Sequence, residues 1–223
     1  MSHYALVVDL DRCFGCHSCE ASCKNENNVV LGSYWNRVLH MGPYGSYPDL
    51  EEYYLPSQCM QCKNAPCVNV CPTAASYRDP DTNIVLINKE KCIGCKYCMM
   101  ACPYGVRSWN VKERVVEKCT LCQQRTSVGQ LPACVEKCCA SARFYGDLDD
   151  PDSEVSKALA SANKAAIHTM PDYGNEPVGA YILSDKIAAW RERMASHECS
   201  MVFGHIYSSN WHGRMDACLC RGF

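Results

Sequence analysis

Sixteen of the 20 cysteines in this 223-residue chain lie in four runs of four, and the runs have closely related spacings. The first and third runs read C-x2-C-x2-C-x3-C, the second reads C-x2-C-x4-C-x3-C and the fourth reads C-x2-C-x11-C-x3-C. The sixteen residues are Cys13, Cys16, Cys19, Cys23, Cys59, Cys62, Cys67, Cys71, Cys92, Cys95, Cys98, Cys102, Cys119, Cys122, Cys134 and Cys138. Thiolates at such short intervals are the typical ligands of soft metal centres.

The spacing of the first and third runs is that of the bacterial ferredoxin run, in which three thiolates bind one [4Fe–4S] cluster and the fourth binds a neighbouring cluster. One tight loop can present three sulfurs to three corners of a cubane, whereas the fourth corner needs a sulfur from elsewhere. Three residues after the third cysteine the chain has entered a helical turn, so the last cysteine points toward the partner cluster. Four runs therefore predict four [4Fe–4S] clusters and a role in electron transfer.

Disulfides, structural zinc and a thioredoxin-type redox pair are the alternative interpretations. Twenty cysteines approach the level of a secreted disulfide scaffold, but the chain begins Met1-Ser2-His3 without an apolar signal segment. Zinc binds paired C-x2-C segments, yet it does not require the two further cysteines that follow in all four runs. A thioredoxin-type pair would be a single C-x2-C in a strand–helix frame, which is missing here.

The apolar core is small for this length, with only four phenylalanines. We therefore expect cluster binding to supply much of the folding free energy and the cluster-free chain to be largely unfolded. The formal charge of −2 counts the thiols as neutral, and four clusters with their thiolates bring the loaded chain to about −10. Nine cations beside the ligands are either local compensation or ordinary solvated charges, and they give no reason to invoke nucleic acid. They are Arg12, Lys24, Lys63, Lys91, Lys96, Arg107, Lys118, Arg125 and Lys137.

Short strands must deliver the chain into the cysteine loops. Tyr4–Leu10 and Asn83–Ile87 are apolar segments that predict strands before the first and third runs. Ala142–Tyr145 predicts a return strand after the fourth run. Strand, cysteine loop, short helix and strand are the repeating unit of a ferredoxin-like α+β fold, and we expect duplicated modules of this kind.

The runs also suggest how the chain is divided. The second and third end in Cys-Pro and lie one hairpin apart, so residues 59–103 predict an inner two-cluster module. The first and fourth flank it and predict an outer module from residues 1–58 and 104–150. Residues 24–58 are an aromatic-rich insertion, which is either a packing lid over clusters or a partner surface. Residues 151–223 predict a C-terminal extension that packs on the modules or on a partner.

Two helices are predicted in this extension. Ser153–Ala166 has helix-forming composition, and a second helix at about Ser184–Ser196 places Ile187, Trp190 and Met194 on one apolar face. That face is either buried core or a docking site. The tail beyond could hold a further metal, although its C-x-C ending is poor for zinc and free cysteines are the simpler explanation. The residues concerned are His197, Cys199, His205, His212, Cys218 and Cys220.

Longer stretches of sequence around the runs are also distinctive. They read CKNENN, QCKNAPCVNVCPTAA, KCIGCKYCMMACPYG and CTLCQQRTSVGQLPACVEKC, followed by GDLDDPDSEVSKAL and PDYGNEP. Over roughly residues 3–182 the chain thereby resembles the four-cluster electron-transfer (beta) subunit of the dimethyl sulfoxide reductase family of molybdopterin oxidoreductases. The resemblance implies a subunit that relays single electrons to or from a large molybdopterin-containing catalytic subunit. A membrane anchor subunit is present in some such complexes.

The resemblance also implies a nested pairing of ligands, which the spacing alone does not force. Its clusters are expected to be held by Cys13, Cys16, Cys19 and Cys138; by Cys59, Cys62, Cys67 and Cys102; by Cys92, Cys95, Cys98 and Cys71; and by Cys119, Cys122, Cys134 and Cys23. Cys139 stands where the family commonly has proline and competes with Cys138 for one iron, but the x3 spacing favours Cys138. Some members replace a third-run ligand with tryptophan, whereas this chain keeps all four cysteines.

The sequence contains no nucleophile motif and no Gly-rich phosphate loop, so we expect no catalysis by the chain itself. A free-standing polyferredoxin carrier for hydrogenase or formate metabolism is the alternative function. Tyr34, Trp35, Trp190 and Trp211 are candidate exposed aromatic residues for contact with a fixed partner. No segment has the ~18–20 apolar residues of a membrane span. We expect a soluble chain without its own signal, either cytoplasmic or exported with a catalytic partner that carries a twin-arginine signal.

Overall fold

The computed structural model describes residues 2–184 and Trp190. The strands in these residues are β1 (Tyr4–Asp9), β2 (Asn36–Ser46), β3 (Asp49–Gln58), β4 (Ser76–Arg78), β5 (Val85–Ile87), β6 (Ser108–Asn110), β7 (Val115–Glu117), β8 (Arg143–Asp147), β9 (Ile167–Thr169) and β10 (Ala180–Ile182). The helices are α1 (Ser18–Glu26), α2 (Pro66–Asn69), α3 (Tyr97–Met100), α4 (Gln123–Thr126), α5 (Ala133–Glu136) and α6 (Glu154–Ser161), with a 3-10 turn at Lys164–Ala166.

A four-stranded sheet in the order β8-β1-β10-β9 ties the two ends of the described chain together. β1 pairs antiparallel with β8, with Tyr4 opposite Asp147, and parallel with β10, with Val7 opposite Ala180. The strands predicted before the first run and after the fourth are thus confirmed, and they are neighbours. Their pairing brings the first cysteine loop next to the segment that follows the fourth run.

β1 is buried on both faces, and its alternating side chains separate two parts of the core. Leu6 packs with buried cysteines of the first and fourth runs, Cys19 and Cys119. Val7 points to the opposite face and packs with Val155 of α6. The sheet therefore has a cysteine-rich side and an ordinary apolar side.

Two short antiparallel ribbons follow the second and third runs in the same manner. β4 pairs with β5 after Cys71, and β6 pairs with β7 after Cys102. Each ribbon follows a one-turn helix, α2 or α3, and leads the chain into the next cysteine loop. The predicted strand at Asn83–Ile87 is confirmed as β5, although it begins two residues later. The repetition gives the mixed α and β architecture expected of ferredoxin-like domains.

The aromatic-rich insertion contains a hairpin of the long strands β2 and β3, which strand prediction from the sequence missed. Core packs on both faces of the hairpin, since Val38 belongs to one core cluster and Met41, Tyr53 and Leu55 belong to another. The turn exposes Tyr47 at 90%. Trp35, expected to be an exposed contact residue, is only 8% exposed because it packs with the cysteine-rich core.

The C-terminal extension corrects two further expectations. The helix predicted at Ser153–Ala166 ends at Ser161, because Asn163 accepts a hydrogen bond from the Ala165 N–H and starts a separate 3-10 turn. Trp190, predicted to be exposed, is 4% exposed and stacks on His168 with 5.1 Å between ring centroids. Apart from Ser184 and Trp190, the predicted helix at about Ser184–Ser196 lies outside the described residues, as do Trp211 and the tail histidines and cysteines. No helix among the described residues is long and apolar enough to cross a membrane.

Candidate iron–sulfur sites

Left-handed backbone residues bend the first and third cysteine loops in the same way. Gly15 (φ +70°) and Gly94 (φ +70°) occupy the same place in the spacing, as do His17 (φ +59°) and Lys96 (φ +63°). Glycine adopts this region without strain, whereas other residues lose free energy there. A Cβ at Gly15 would also lie 2.4 Å from the Tyr54 ring. The two loops thus hold their cysteines in one shared conformation.

A helix then carries the later cysteines of the first run inward. Cys19 and Cys23 lie four residues apart in α1, hence on one helical face, and both are buried. α1 packs against α5, which carries the buried Cys134 of the fourth run. This packing brings the first and fourth runs together although about 100 residues separate them.

Four cysteines from two different runs line one cavity. They are Cys59, Cys62 and Cys67 of the second run and Cys102 of the third, and we call them group II. Met60, Val85 and Tyr104 supply apolar walls. The four sulfurs therefore converge on one site, although they come from two runs.

A second cavity has the reciprocal composition. It is lined by Cys92, Cys95 and Cys98 of the third run and by Cys71 of the second, which we call group III. Cys102 is absent from this cavity, although it follows Cys98 by only four residues. The last cysteines of the second and third runs have therefore crossed over.

The outer runs show the same crossover. Burial raises the pKa of Cys23, and the nearby Cys119, Cys134 and Cys122 of the fourth run raise it further; these four cysteines form group IV. Burial also raises the pKa of Cys13, with further contributions from Cys19 of its own run and Cys138 of the fourth. Group I comprises Cys13, Cys19, Cys138 and the exposed Cys16 of the same loop.

The electrostatics of these groups favour a bound cation. Burial, aided by neighbouring thiols, raises the pKa of Cys62 and of Cys119 to about 12. Several such thiols cannot ionise together in a low-dielectric interior without positive charge among them. Coordination to a metal deprotonates a thiol outright, and four sulfurs per group are the donor set of a [4Fe–4S] cluster. The residues present therefore fit this cofactor.

Polar hydrogens are also directed at the sulfurs. Asn175 donates from Nδ2 to Cys62 Sγ at 3.0 Å, and the backbone N–H groups of Ser76 and Ala142 donate to Cys71 Sγ and Cys138 Sγ, each at 3.3 Å. Hydrogen bonds of this kind tune the potentials of iron–sulfur clusters. Asn175 lies in the distinctive PDYGNEP stretch, but the sequence assigns it no role, because it is 113 residues from Cys62 and meets it only in the fold.

The nine cations expected beside the ligands do not share one environment. Arg107 and Lys118 are buried, each with 2% exposure. Arg125 is bound to Glu26 and Glu136, and Lys24 donates to the Ser33 carbonyl. The other five are exposed at the surface: Arg12, Lys63, Lys91, Lys96 and Lys137. A solvated charge is thus the better description for most of the set.

Arg143 is a buried cation that the sequence analysis missed. It is 4% exposed and lies near Cys134, Cys19 and Cys119. Its distance from Cys138 along the chain is five residues, the same as that of Arg107 from Cys102. This equivalence was the available signal.

The cysteines of the described residues bear on the disulfide and single-metal alternatives. Every cysteine in residues 2–184 is a free thiol, so the disulfide alternative is wrong for this part of the chain. No three His, Cys, Asp or Glu side chains of the described residues are arranged to hold a single metal ion. Cys139 is exposed, with Sγ 4.0 Å from the Lys137 carbonyl, whereas Cys138 faces group I.

Loops of this kind, ending in short helices and two-stranded ribbons, define an iron–sulfur protein of the ferredoxin type. Two family comparisons agree: residues 50–148 match the 4Fe-4S dicluster domain and residues 10–34 match a 4Fe-4S binding domain.

Individual relatives of the chain identify the family within this class of iron–sulfur proteins. The chain is 46% identical over 211 residues to a protein of Halobacterium salinarum named provisionally as an iron–sulfur subunit of dimethyl sulfoxide reductase, covering 82% of this chain and 79% of that one. It is 41% identical to a sulfite dehydrogenase subunit of Allochromatium vinosum, covering 82% and 83%. It is 35% identical to the arsenate respiratory reductase iron–sulfur subunit of a Shewanella strain, covering 80% and 95%. The chain belongs to this family of non-catalytic, electron-transferring iron–sulfur subunits of oxidoreductase complexes.

Proposed function

We propose that the chain holds four [4Fe–4S] clusters, one in each of groups I to IV, and relays single electrons to or from a molybdopterin-containing catalytic subunit. The observation that carries this proposal is the reciprocal crossover of Cys71 and Cys102 between two cavities. A bound cluster supplies a one-electron acceptor and donor. The chain supplies the thiolates, excludes water and fixes the spacing.

The sixteen grouped cysteines are the proposed ligands. Cys13, Cys16, Cys19 and Cys138 hold one cluster; Cys59, Cys62, Cys67 and Cys102 the second; Cys92, Cys95, Cys98 and Cys71 the third; Cys119, Cys122, Cys134 and Cys23 the fourth. Support comes from the cavity linings for groups II and III and from the mutual charge effects for groups I and IV. The proposed inner module then comprises groups II and III, and the outer module groups I and IV.

Contacts between groups suggest a linear order, III–II–IV–I. The pKa of Cys98 in group III is raised by burial and also by Cys67 of group II. The pKa of Cys119 in group IV is raised by burial, by Cys134 and by Cys59 of group II. Arg143 adjoins cysteines of both group IV and group I. These effects link group III to group II, group II to group IV and group IV to group I, which is the sequence of a linear relay.

The relatives support the proposal of a catalytic partner, since they are named as subunits of dimethyl sulfoxide, sulfite, tetrathionate and arsenate oxidoreductases. We infer that this chain also serves a catalytic subunit. The molybdopterin cofactor of that subunit is what the resemblance to the dimethyl sulfoxide reductase family implies.

Two measurements test the proposal. A fully loaded preparation should contain about 16 iron and 16 acid-labile sulfide per chain. Purification from the native host should recover the chain with a much larger molybdenum-containing protein. Reproducible values near 12 iron would remove one cluster from the proposal, and a brown monomer without a partner would favour the polyferredoxin carrier.

A further inference from the structure

Two arginines occupy equivalent places after the crossover cysteines. Arg107 follows Cys102 by five residues and Arg143 follows Cys138 by five. Both side chains are buried, with 2% and 4% exposure. The sequences between cysteine and arginine differ, so the equivalence is one of position.

Neither guanidinium is saturated with hydrogen bonds. Arg107 donates from Nη2 to Ser76 Oγ at 2.8 Å, while its Nε and Nη1 have no oxygen or nitrogen partner among the described residues. Arg143 donates to Asn36 Oδ1 at 3.4 Å and to Gln58 Oε1 at 3.2 Å, and its Nε has no such partner there. Burial raises the pKa values of Cys98 and Cys134, whereas hydrogen bonds from Arg107 and Arg143 to these cysteines lower them by a smaller amount. Buried N–H groups without a hydrogen-bond partner are uncommon in proteins, so an acceptor close to these groups is expected.

Carboxylates do not supply the missing countercharge. The ion pairs formed among the described residues include neither Arg107 nor Arg143. A buried charge without a counterion is strongly destabilising. The anionic groups available to both arginines are cysteine sulfurs.

Each arginine adjoins two sulfur groups and not one. Arg107 lines the cavities of both group II and group III. Burial lowers the Arg107 pKa, but the surrounding sulfurs outweigh this and raise it; they are Cys67, Cys98, Cys59 and Cys102. Cys134 and Cys119 of group IV and Cys19 of group I lie in one core cluster. All three act on the buried Arg143, which therefore adjoins both groups.

We propose that Arg107 and Arg143 are equivalent bridging cations, each shared by the two clusters of one module, which raise the reduction potentials of both. The inference rests on the proposed function, since it requires a cluster in every group. The arginines are positioning residues: they neither bind iron nor exchange electrons. Each places a fixed positive charge and free N–H donors between two sites that become more negative on reduction.

The shared position has a consequence that a cation beside one cluster would not have. An electron on either cluster is stabilised by the same guanidinium, so removal of the charge should lower two potentials together. Lys118 is a useful contrast. It is equally buried, but its Nζ donates to the carbonyls of Val85 and Cys119, so its charge already has oxygen partners.

The test is an EPR-monitored redox titration of the loaded full-length chain, with iron counted on the same samples. R107Q should make reduction of two clusters about tenfold less favourable, a shift of about −59 mV for a one-electron couple, and leave the other two near their native values. R143Q should shift the complementary two. R12Q is the matched control, because Arg12 directly precedes Cys13 but is exposed and paired with Asp9; its potentials should stay near native, since solvent screens the charge.

The proposal is overturned if either variant, at full iron content, shifts one potential, shifts all four alike or shifts none. If a glutamine variant fails to load, R107K and R143K decide: four clusters with near-native potentials support a role for the charge, and failure of the lysine variants refutes it. A native chain with fewer than four clusters would instead refute the proposed function, so the two failures are distinct.

Discussion

Cys102→Ala tests the crossover directly. Cys102 follows Cys98 by four residues, so a sequential pairing would place it on the cluster of group III. In the structure it lines the cavity of Cys59, Cys62 and Cys67 instead. Loss of its thiolate leaves one iron of that cluster without a protein ligand, and that iron is the one most easily lost. We expect group II to convert to a three-iron form while group III stays intact.

In the single variant, the expected loss of iron equals the number of irons that lose their thiolate. A native load of about 16 iron should fall to about 15 in Cys102→Ala, with sulfide unchanged and one new three-iron EPR signal. Two double variants separate the pairings. Cys59→Ala with Cys102→Ala removes two ligands from one cluster and should lose it whole, leaving about 12 iron. Cys92→Ala with Cys102→Ala removes one ligand from each of two clusters and should leave about 14.

Iron, sulfide and EPR are measured on the same anaerobic samples. Cys139→Ala is the matched control, because Cys139 is an exposed cysteine next to a proposed ligand and should leave all values unchanged. The crossover would be refuted if the Cys92 and Cys102 pair behaved as one cluster and the Cys59 and Cys102 pair as two.

Three further predictions concern the loop, the sulfur hydrogen bond and the cofactor. Gly15→Ala should lower the melting temperature more than Gly32→Ala, measured at one scan rate. Gly32 has φ +84° and nothing within 4 Å, so an alanine there costs only about 1 kcal/mol of stability for the left-handed backbone, whereas an alanine at Gly15 also overlaps Tyr54, which costs about 1–3 kcal/mol more. Equal shifts in melting temperature would contradict this reasoning. Asn175→Ala should lower the reduction potential of one cluster, because it removes the hydrogen-bond donor to Cys62. Asn64→Ala is the control: it removes a hydrogen bond to the Gly174 carbonyl in the same region and should leave that potential unchanged. Equal effects of the two variants in a redox titration would exclude the donor role. Removal of iron should abolish the cooperative melt and most of the circular dichroism, because the buried arginines lose their counterions; a native-like melt of the apo chain would show that the core is sufficient.

Local features of the fold were predictable because the ligands dictate them. The spacing of a cysteine run predicts which three sulfurs one loop can direct at a single cluster. The left-handed residues Gly15 and Gly94 lie at the same position of that spacing. β1 and β8 were also predictable, since each is a short apolar segment beside a run. These inferences need only neighbours along the chain.

Features that depend on distant contacts were not predictable from the pattern. The segment of the β2–β3 hairpin resembles an aromatic loop in the sequence, because the core that covers its two faces comes from distant segments. Trp190 has the apolar spacing of a helix, but only the aromatic residues around it, Tyr53 and Tyr181, determine its burial. The contacts of Asn175 and Arg143 could not be predicted in the same way, because Asn175 meets a sulfur 113 residues away and Arg143 lies near cysteines of two groups.

The proposed order of the groups agrees with their exposure. In III–II–IV–I the two end groups each contain an exposed cysteine, Cys95 in group III and Cys16 in group I, whereas every cysteine of groups II and IV is buried or half-buried. The end loops also share an exposed apolar residue after their first cysteine, Ile93 at 66% and Phe14 at 60%. Electrons tunnel only over short distances, so entry and exit must occur where a cluster approaches the surface. The same loop conformation thus serves both ends of the proposed relay, and the bridging arginines lie within it, away from solvent.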